Sequence, residues 1–439
     1  MKNNSFQRQT TRFIMLVMLL FCSTQLSTLM AYEKPIIIIT QDGEIDDRSS
    51  FVRFLLYSND VDLRGIVATN SVWQKMGHGT SWIYELIDKY GEVLPNLLLH
   101  KPDYPSVDKL KGMVVLGNED PRHLKGSAPY ADSEGADLII RELLKDEQAP
   151  VHVGCWGGAN TVAHALWKLR KEHPKEFDRA VKRIRIYCIS FQDEAGKWIV
   201  DNMPEAMIIE AYSWCFTWNY HDKEPLTHNP YPQFLSTKWM LKNIKNNHGP
   251  LGAMYQQKNI SEGDTPAFLN FVNNGLEAWK DYGHGGWGGR FAPIKEGSNH
   301  WKDATDDGNS KKAMWRWTAD VQNDFEARMD WCVKSFGEAN HAPMILYTSD
   351  VRSVKPGEKV ELEAEGDDVD KNKLYYHWWH YKDASQMDEY ICIENETAPK
   401  ASFTVPDDCD KDIHIIVEVT DDGEPMLKGY KHLIFTLEN

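Results

Sequence analysis

Cysteine is scarce in this sequence: seven residues in 439, with no C-x-x-C or other metal-ligand spacing. That sparsity excludes a disulfide scaffold and a thiolate zinc site. Basic charge is also in deficit. There are 49 Lys and Arg against 65 Asp and Glu, for a net charge of -16. Nucleic acid and anionic membrane surfaces need basic residues against their phosphates, so both are excluded as partners. Beyond Cys22 no apolar run is long enough to cross a bilayer, and internal repeats and low-complexity tracts are absent.

What is present begins with an export pattern. Lys2, Arg8 and Arg12 precede the apolar run Phe13 to Cys22, and Ala31 offers a small residue for cleavage. Residues 1–31 therefore read as a signal peptide, with a mature secreted or periplasmic protein starting near Tyr32. About ten apolar residues are too few for a permanent span. Phe21 stands where lipidation of Cys22 would want a small residue. Export permits oxidation, and Cys392 and Cys409 are the pair open to it; the alternative is that all six remaining cysteines are small buried apolar side chains.

A chain of this length exceeds one hydrophobic core, so two domains are expected. Pro35 to Thr40 (PIIIIT) is apolar at nearly every position, as a central parallel strand is, and Leu63 to Ala68, Val151 to Gly154 and Ile184 to Ile189 repeat the type. Trp82 to Tyr90, Leu138 to Lys145 and Val162 to Leu169 carry helical spacing between them, and Met314 to Lys334 reads as one long closing helix. The alternation predicts an α/β domain over residues 32–338, with a mostly parallel sheet flanked by helices. After Gly337 to Pro343 (GEANHAP) the helical period is lost. Short alternating strands at 359–365, 373–381, 401–405, 413–420 and 430–437 predict an immunoglobulin-like sandwich over residues 339–439.

Gln41 to Asp47 (QDGEIDD) follows the first strand and precedes a helix. Asp42, Asp46 and Asp47 thus fall at the carboxyl end of a parallel strand, where α/β folds build ligand crevices. Packed carboxylates repel unless a cation compensates, and oxygen ligands alone favour calcium over zinc. The competing reading is that Asp46 and Asp47 only cap the helix. Two distant segments add weight to the metal: the glycine-rich turn Val153 to Ala163 (VGCWGGANTVA), and Glu262 to Phe268 (EGDTPAF), which sets Asp264 before Pro266 at a helix start.

Ile39 to Arg48 (ITQDGEIDDR) resembles the aspartate-rich N-terminal signature of nucleoside hydrolases, D-x-D-P-G-x-D-D, with three of four aspartates matching. The resemblance runs over most of Pro35 to about Phe291. With the C-terminal sandwich, it is similar to the exported subgroup described as cellulose-binding. It implies Asp42 as general base and calcium ligand, Asp46 as a sugar-contacting carboxylate and Asp47 as a bidentate calcium ligand. Gly157 to Ala163 (GGANTVA) is similar to the family's G-P-L-T-N-I-A turn, implying that the Asn160 carbonyl reaches the metal. Asp264 matches the late calcium aspartate. Asp201 to Ala206 (DNMPEA) resembles the family's sugar-binding segment, making Asn202 and Glu205 candidate sugar contacts, and Asn70 is similar to a further pocket asparagine. Thr40 replaces the first aspartate, Gly43 and Glu44 replace Pro-Gly, and Gly263 stands where better-known members carry a histidine beside the late aspartate. The metal and sugar half of the site is kept while the leaving-group half is remodelled.

The activity implied is calcium-dependent hydrolysis of a glycosyl bond, N-ribosyl or another furanosyl, by metal-activated water attack at the anomeric carbon. The alternative is a glycan- or cellulose-binding protein without turnover. Expected ligands are accordingly a small nucleoside, furanoside or glycan; a homo-oligomeric state is left open. Tyr282 to Phe291 (YGHGGWGGRF) sets His284, Trp287 and Arg290 among five glycines, and two readings stand. Either the loop lines the leaving-group side, with Trp287 stacking on the substrate and His284 or Arg290 assisting departure, or it is a tightly packed turn. Trp214, Trp218 and Tyr220 suit a sugar platform or plain core. Adjacent Trp378 and Trp379 face opposite sides of a strand, one toward the sandwich core and the other toward a glycan or, the favoured reading, the first domain. The acidic loops Gly366 to Asp370 and Thr420 to Glu424 hold carboxylates open to two readings, a further calcium site or solvated turns.

Overall fold

Isoleucines 36 to 39 form most of strand β1 (Ile36–Gln41) and feed two cores. Ile37 and Ile39 join one buried cluster, Ile36 and Ile38 another on the opposite face. A strand buried on both faces needs no polar alternation, which is why the run is apolar throughout. The computed structural model describes residues 33–126, 128–212, 229–256 and 261–438.

Strands β2 (Asp62–Ala68), β3 (Val114–Leu116), β4 (Val151–Cys155), β5 (Ile184–Ile189), β6 (Met207–Ala211), β7 (Phe291–Pro293) and β8 (His300–Asp303) complete an eight-stranded sheet in the order β3-β2-β1-β4-β5-β6-β8-β7. All neighbours are parallel except β7 and β8. The principal helices are α1 (Ile45–Tyr57), α2 (Ser81–His100), α3 (Glu134–Leu144), α4 (Asn160–Glu172), α5 (Ala195–Asn202) and α6 (Thr318–Asp330). Helices α1, α2 and α6 contribute Phe51, Phe54, Ile83, Leu86 and Phe325 to one core, and α3 and α4 contribute Leu138, Ile139, Val162 and Leu166 to the other. Each such side chain stabilises the fold by about 1.5–3 kcal/mol on burial. Strand order reverses between β1 and β4, so the carboxyl ends of those strands open the crevice where such sheets bind ligands.

The expected closing helix is instead two segments, Lys312–Trp315 and α6. At the break Arg316 turns to Asp306 (2.8 Å), while Trp317 is buried against Trp379 and Tyr430. Helical periodicity continued across residues whose side chains are committed to the next layer.

Strands β9 (Met344–Thr348), β10 (Lys359–Asp367), β11 (Tyr375–His380), β12 (Ile393–Glu394), β13 (Lys400–Thr404), β14 (Ile413–Thr420) and β15 (Lys428–Phe435) form antiparallel sheets in the orders β12-β13-β10-β9 and β11-β14-β15. Trp378 is fully buried in the core between them, with Nε1 donating to the Ala398 carbonyl. Its neighbour Trp379 packs outward on Trp317 and Arg316 of the first domain. Cys392 and Cys409 are free thiols. No helix among the described residues is long and apolar enough to cross a membrane. Trp214, Trp218 and Tyr220, like the N-terminal 1–31 segment, lie outside the described residues.

Candidate functional site

The chain leaves β1 at Gln41 and enters α1 at Ile45, so Asp42 to Glu44 turn at the carboxyl edge of the sheet. Asp47 folds back over that turn: its Oδ1 accepts from the Asp42 amide (3.0 Å) and Oδ2 from the Glu44 amide (3.1 Å). The helix-capping reading of Asp47 is therefore true, and it coexists with a second role. Asp46, Asp47 and Asp264 bring carboxylate oxygens within 4.8 Å of one another, spaced to hold a metal ion.

Electrostatics agree with that spacing. Burial, then the nearby Asp42, pushes the Asp46 carboxyl up to about 6. Burial with Asp42 and Asp264 holds Asp47 well above the usual range, and burial with Asp46, Asp42 and Glu44 does the same to Asp264. Glu44 is pushed up to about 7 by burial and by Asp42 and Asp46. Oδ2 of Asp42 and Oδ2 of Asp264 are buried without a hydrogen-bond donor. Orphaned carboxylate oxygens in a cluster without a basic partner among the described residues are what a hard cation would satisfy, and the donor set is all oxygen.

Asp264 reaches the cluster from more than two hundred residues away because its segment is clamped to α1. Arg53 on α1 donates to Glu262 through Nε (2.5 Å) and Nη2 (2.8 Å), both side chains being wholly buried. Arg53 also donates to Gln322 of α6 (2.7 Å), and Thr265 Oγ1 donates to Ser50 (3.1 Å).

Opposite, the turn after β4 abuts Asp42. A Cβ on Gly157 would lie 2.9 Å from the Asp42 Cβ, and one on Gly158 would lie 2.4 Å from Asp193 Oδ2. Both glycines are there for close approach. The Asn160 side chain is a hub in the crevice floor. Its Nδ2 donates to Asn70 Oδ1 and Asp193 Oδ2, each at 3.0 Å, and its Oδ1 accepts from Asn118 (3.0 Å). Asn70 is buried there, its carbonyl accepting from the Gly158 amide.

Other predicted residues lie elsewhere. Asn202 and Glu205 are exposed just before β6, at the amino end of a parallel strand and so at the edge of the sheet opposite the carboxylates. Asn202 Nδ2 merely donates to the Trp198 carbonyl within α5. The loop 282–291 serves the sandwich. His284 packs between His414 and His432, Trp287 against Tyr430, and Arg290 on Asp306 (2.8 Å), which in turn accepts from Tyr381. Its glycines admit sandwich side chains: a Cβ on Gly285 would lie 2.6 Å from the Tyr381 hydroxyl. These placements correct the assignment of Asn202 and Glu205 to the sugar, and they favour the packed-turn reading of His284, Trp287 and Arg290 over a leaving-group role.

Sequence reasoning missed four residues. Asp193, just past β5, is pushed up to about 6 by burial; it carries the same signal as Asp42, an acid at a parallel strand's carboxyl end. His78 Nδ1 lies 3.1 Å from the Asp42 carbonyl. The Arg53 and Glu262 pair had no local signal at all.

Residues 36–291 match the family described as Cellulose-binding Sde182, nucleoside hydrolase-like domain, and residues 359–437 match that described as Cellulose-binding protein Sde0182, C-terminal domain. A solved nucleoside hydrolase-related hypothetical protein from Saccharophagus degradans, associated with carbohydrate metabolism, is 30% identical with a TM-score of 0.80, over 92% of this chain and 100% of its own. The effector proteins XOO4466 and XopQ, the latter complexed with adenosine diphosphate ribose, are each 9% identical, with TM-scores of 0.35 and 0.31. They cover 69% and 66% of this chain and 95% of their own, and carry no argument at that level. No protein of curated function matches significantly. With its first domain matched over more than half the chain and its sandwich matched separately, the protein belongs to the Sde182 family of cellulose-binding proteins with a nucleoside hydrolase-like domain.

Proposed function

We propose that this is an exported, calcium-dependent carbohydrate-binding protein. In this reading Asp46, Asp47 and Asp264 hold the ion together with the unpartnered oxygen of Asp42, and Asn70 lies beside it for the sugar. A bound calcium ion would supply a coordination site for neighbouring sugar hydroxyls; the carboxylates orient them and accept their protons in hydrogen bonds. The observation that carries the reading is the cluster of Asp46, Asp47 and Asp264 with unpartnered oxygens on Asp42 and Asp264. The family's description as cellulose-binding supports a glycan as ligand. Export rests on the N-terminal pattern of residues 1–31.

Binding is favoured over turnover because His284, Trp287 and Arg290, the groups expected to assist a leaving group, are engaged by the sandwich. One observation favours hydrolysis as the second reading. The aspartate that the resemblance implies as general base is kept as Asp42, and binding alone needs no base. Calorimetry of the mature protein decides between them. Calcium should bind and should be lost in Asp47→Ala, and ribose or a cello-oligosaccharide should bind only to the calcium-loaded protein. Absence of calcium binding sinks the proposal. Release of ribose from inosine or uridine, abolished in Asp42→Asn, would replace it with the hydrolase reading.

A further inference from the structure

Between β2 and α2 the chain crosses the carboxyl edge of the sheet, and there it displays large apolar side chains to solvent. Trp73 is 70% exposed, Met76 69% and Val72 38%. Tryptophan is ordinarily buried over most of its surface, and a display of this kind marks a contact surface. The segment holding it is not loose. Ser71 Oγ accepts from the Trp73 and Gln74 amides, Gly77 N donates to the Gln74 carbonyl, and Gly79 N donates to Glu119 (2.8 Å).

Three further bonds tie the loop to the crevice. Asn70, which is bonded to Asn160 in the floor, donates through Nδ2 to the Lys75 carbonyl (2.9 Å). The Val72 amide donates to the Gln192 carbonyl, next to Asp193. His78 Nδ1 lies 3.1 Å from the Asp42 carbonyl. The loop that carries the exposed indole is therefore tied to both walls of the carboxylate site, with Trp73 three residues from Asn70.

We propose that Trp73, flanked by Met76, is a stacking platform for a second sugar ring, the one linked to the ring held at the carboxylates. A pyranose presents an apolar C–H face, and an aromatic ring covers such a face while the sugar's equatorial hydroxyls stay in water. The carboxylates supply polar recognition of one ring, and Trp73 supplies the apolar half for the next. The site so composed selects a linked glucan over a monosaccharide. This rests on the carbohydrate-binding reading above and deepens it.

The test is calorimetry with cellohexaose, ribose and calcium on the mature protein, its Trp73→Ala and Trp73→Phe variants and Asp47→Ala, with sedimentation of each. Trp73→Ala should weaken cellohexaose about tenfold and Trp73→Phe by no more than about twofold, the aromatic face being the shared feature. Calcium and ribose should bind both Trp73 variants as they bind the wild type. Wild-type cellohexaose affinity in Trp73→Ala overturns the platform, as does absence of cellohexaose binding to the wild type. Loss of calcium binding in Trp73→Ala also overturns it, because the residue would then act through the acidic loop. A dimer that becomes a monomer in Trp73→Ala with cellohexaose unaffected assigns the patch to a second copy and overturns it too. If Asp47→Ala abolishes calcium and ribose binding but cellohexaose still depends on Trp73, the platform stands on its own. If Asp47→Ala changes nothing while Trp73→Ala weakens cellohexaose, the metal-sugar reading falls and the platform stands.

Discussion

Arg53 and Glu262 form a two-point ion pair with no solvent exposure, two residues before Asp264 on one side and six residues after Asp47 on the other. The pair spans the two segments that must meet to form the carboxylate cluster. Breaking a buried pair by removing one partner strands the other charge, at a cost of about 3–5 kcal/mol. Glu262→Gln should therefore lower stability by that order in urea denaturation and weaken calcium binding in the molecules that remain folded. Replacing both partners with apolar residues, Arg53→Met with Glu262→Leu, should recover most of the stability, since the desolvation penalty vanishes with both charges. It should leave calcium affinity reduced, because Asp264 loses its anchor. Recovery of both quantities would show that packing alone sets the spacing.

The carboxylates themselves oppose folding without a cation. The folded-state value of Asp46 is about 6, above its ordinary 3.8, and Asp47 and Asp264 are shifted in the same direction. In the window between the ordinary and the raised value the folded state binds more protons than the unfolded chain, so stability falls as pH rises through it. Calcium-free protein should lose melting temperature from about pH 4 to pH 6 and above through these groups. Asp264→Asn should raise the melting temperature of the calcium-free protein at pH 7 by roughly 2 °C, equivalent to about 1 kcal/mol in a chain of this size. It should also remove the stabilisation that calcium confers on the wild type, about 2.7 kcal/mol at a hundredfold excess over the dissociation constant. A calcium-free melting temperature below wild type would mean that Asp264 has a structural partner after all.

Much of this site was legible, and the reason is positional. Asp42, Asp46 and Asp47 stand directly after an unbroken apolar strand, so pattern alone put them at a carboxyl edge. Asn202 and Glu205 were misplaced because a short motif carries no record of which end of its strand it borders; both precede β6 rather than follow it. His284, Trp287 and Arg290 were read rightly as a loop approached closely by something, since glycines mark such approach. Whether that something is a ligand or another domain is decided by residues over a hundred positions away, such as Tyr381 and Tyr430. Arg53 carries no local signal of its role, because its partner lies 209 residues along the chain.

The histidines of the interface predict acid sensitivity of the opposite sign. Burial first, then His284, His380 and Arg290, pushes His414 down to about 3. Burial with His414, His284 and Lys431 holds His432 well below its ordinary value, and burial lowers His284 against a weak opposing pull from Asp281. His414 Nδ1 and His432 Nε2 are 3.0 Å apart, a contact that both rings cannot keep when protonated. The neutral forms stabilise the fold fully above about pH 6.5, and that stability is lost as pH falls below it, by up to about 1.4 kcal/mol per pH unit for each proton taken up. His414→Leu with His432→Leu should flatten the fall in melting temperature between pH 7 and pH 5, measured with and without calcium to separate it from the carboxylates. An undiminished slope would place the titrating groups elsewhere.

Gly275 tests how tightly the sandwich is seated on the first domain. It adopts φ +94°, a region that side chains disfavour. An added Cβ would lie 1.9 Å from the Tyr430 carbonyl oxygen, while the Tyr430 amide donates to the Asn274 carbonyl (2.9 Å). Tyr430 belongs to β15, whose ladder with β14 cannot shift one residue without disturbing its neighbours. The clash is therefore met by separation of the two surfaces rather than by a local rotation. Gly275→Ala should cost at least about 1–3 kcal/mol by overpacking and expose the junction near residues 336–343 to limited proteolysis. Calcium affinity should be nearly unchanged, since Gly275 touches none of the carboxylates. If the variant loses calcium as well as the junction, the seat of the sandwich and the ion site are mechanically coupled through the short helix Pro266–Leu269 that follows Asp264.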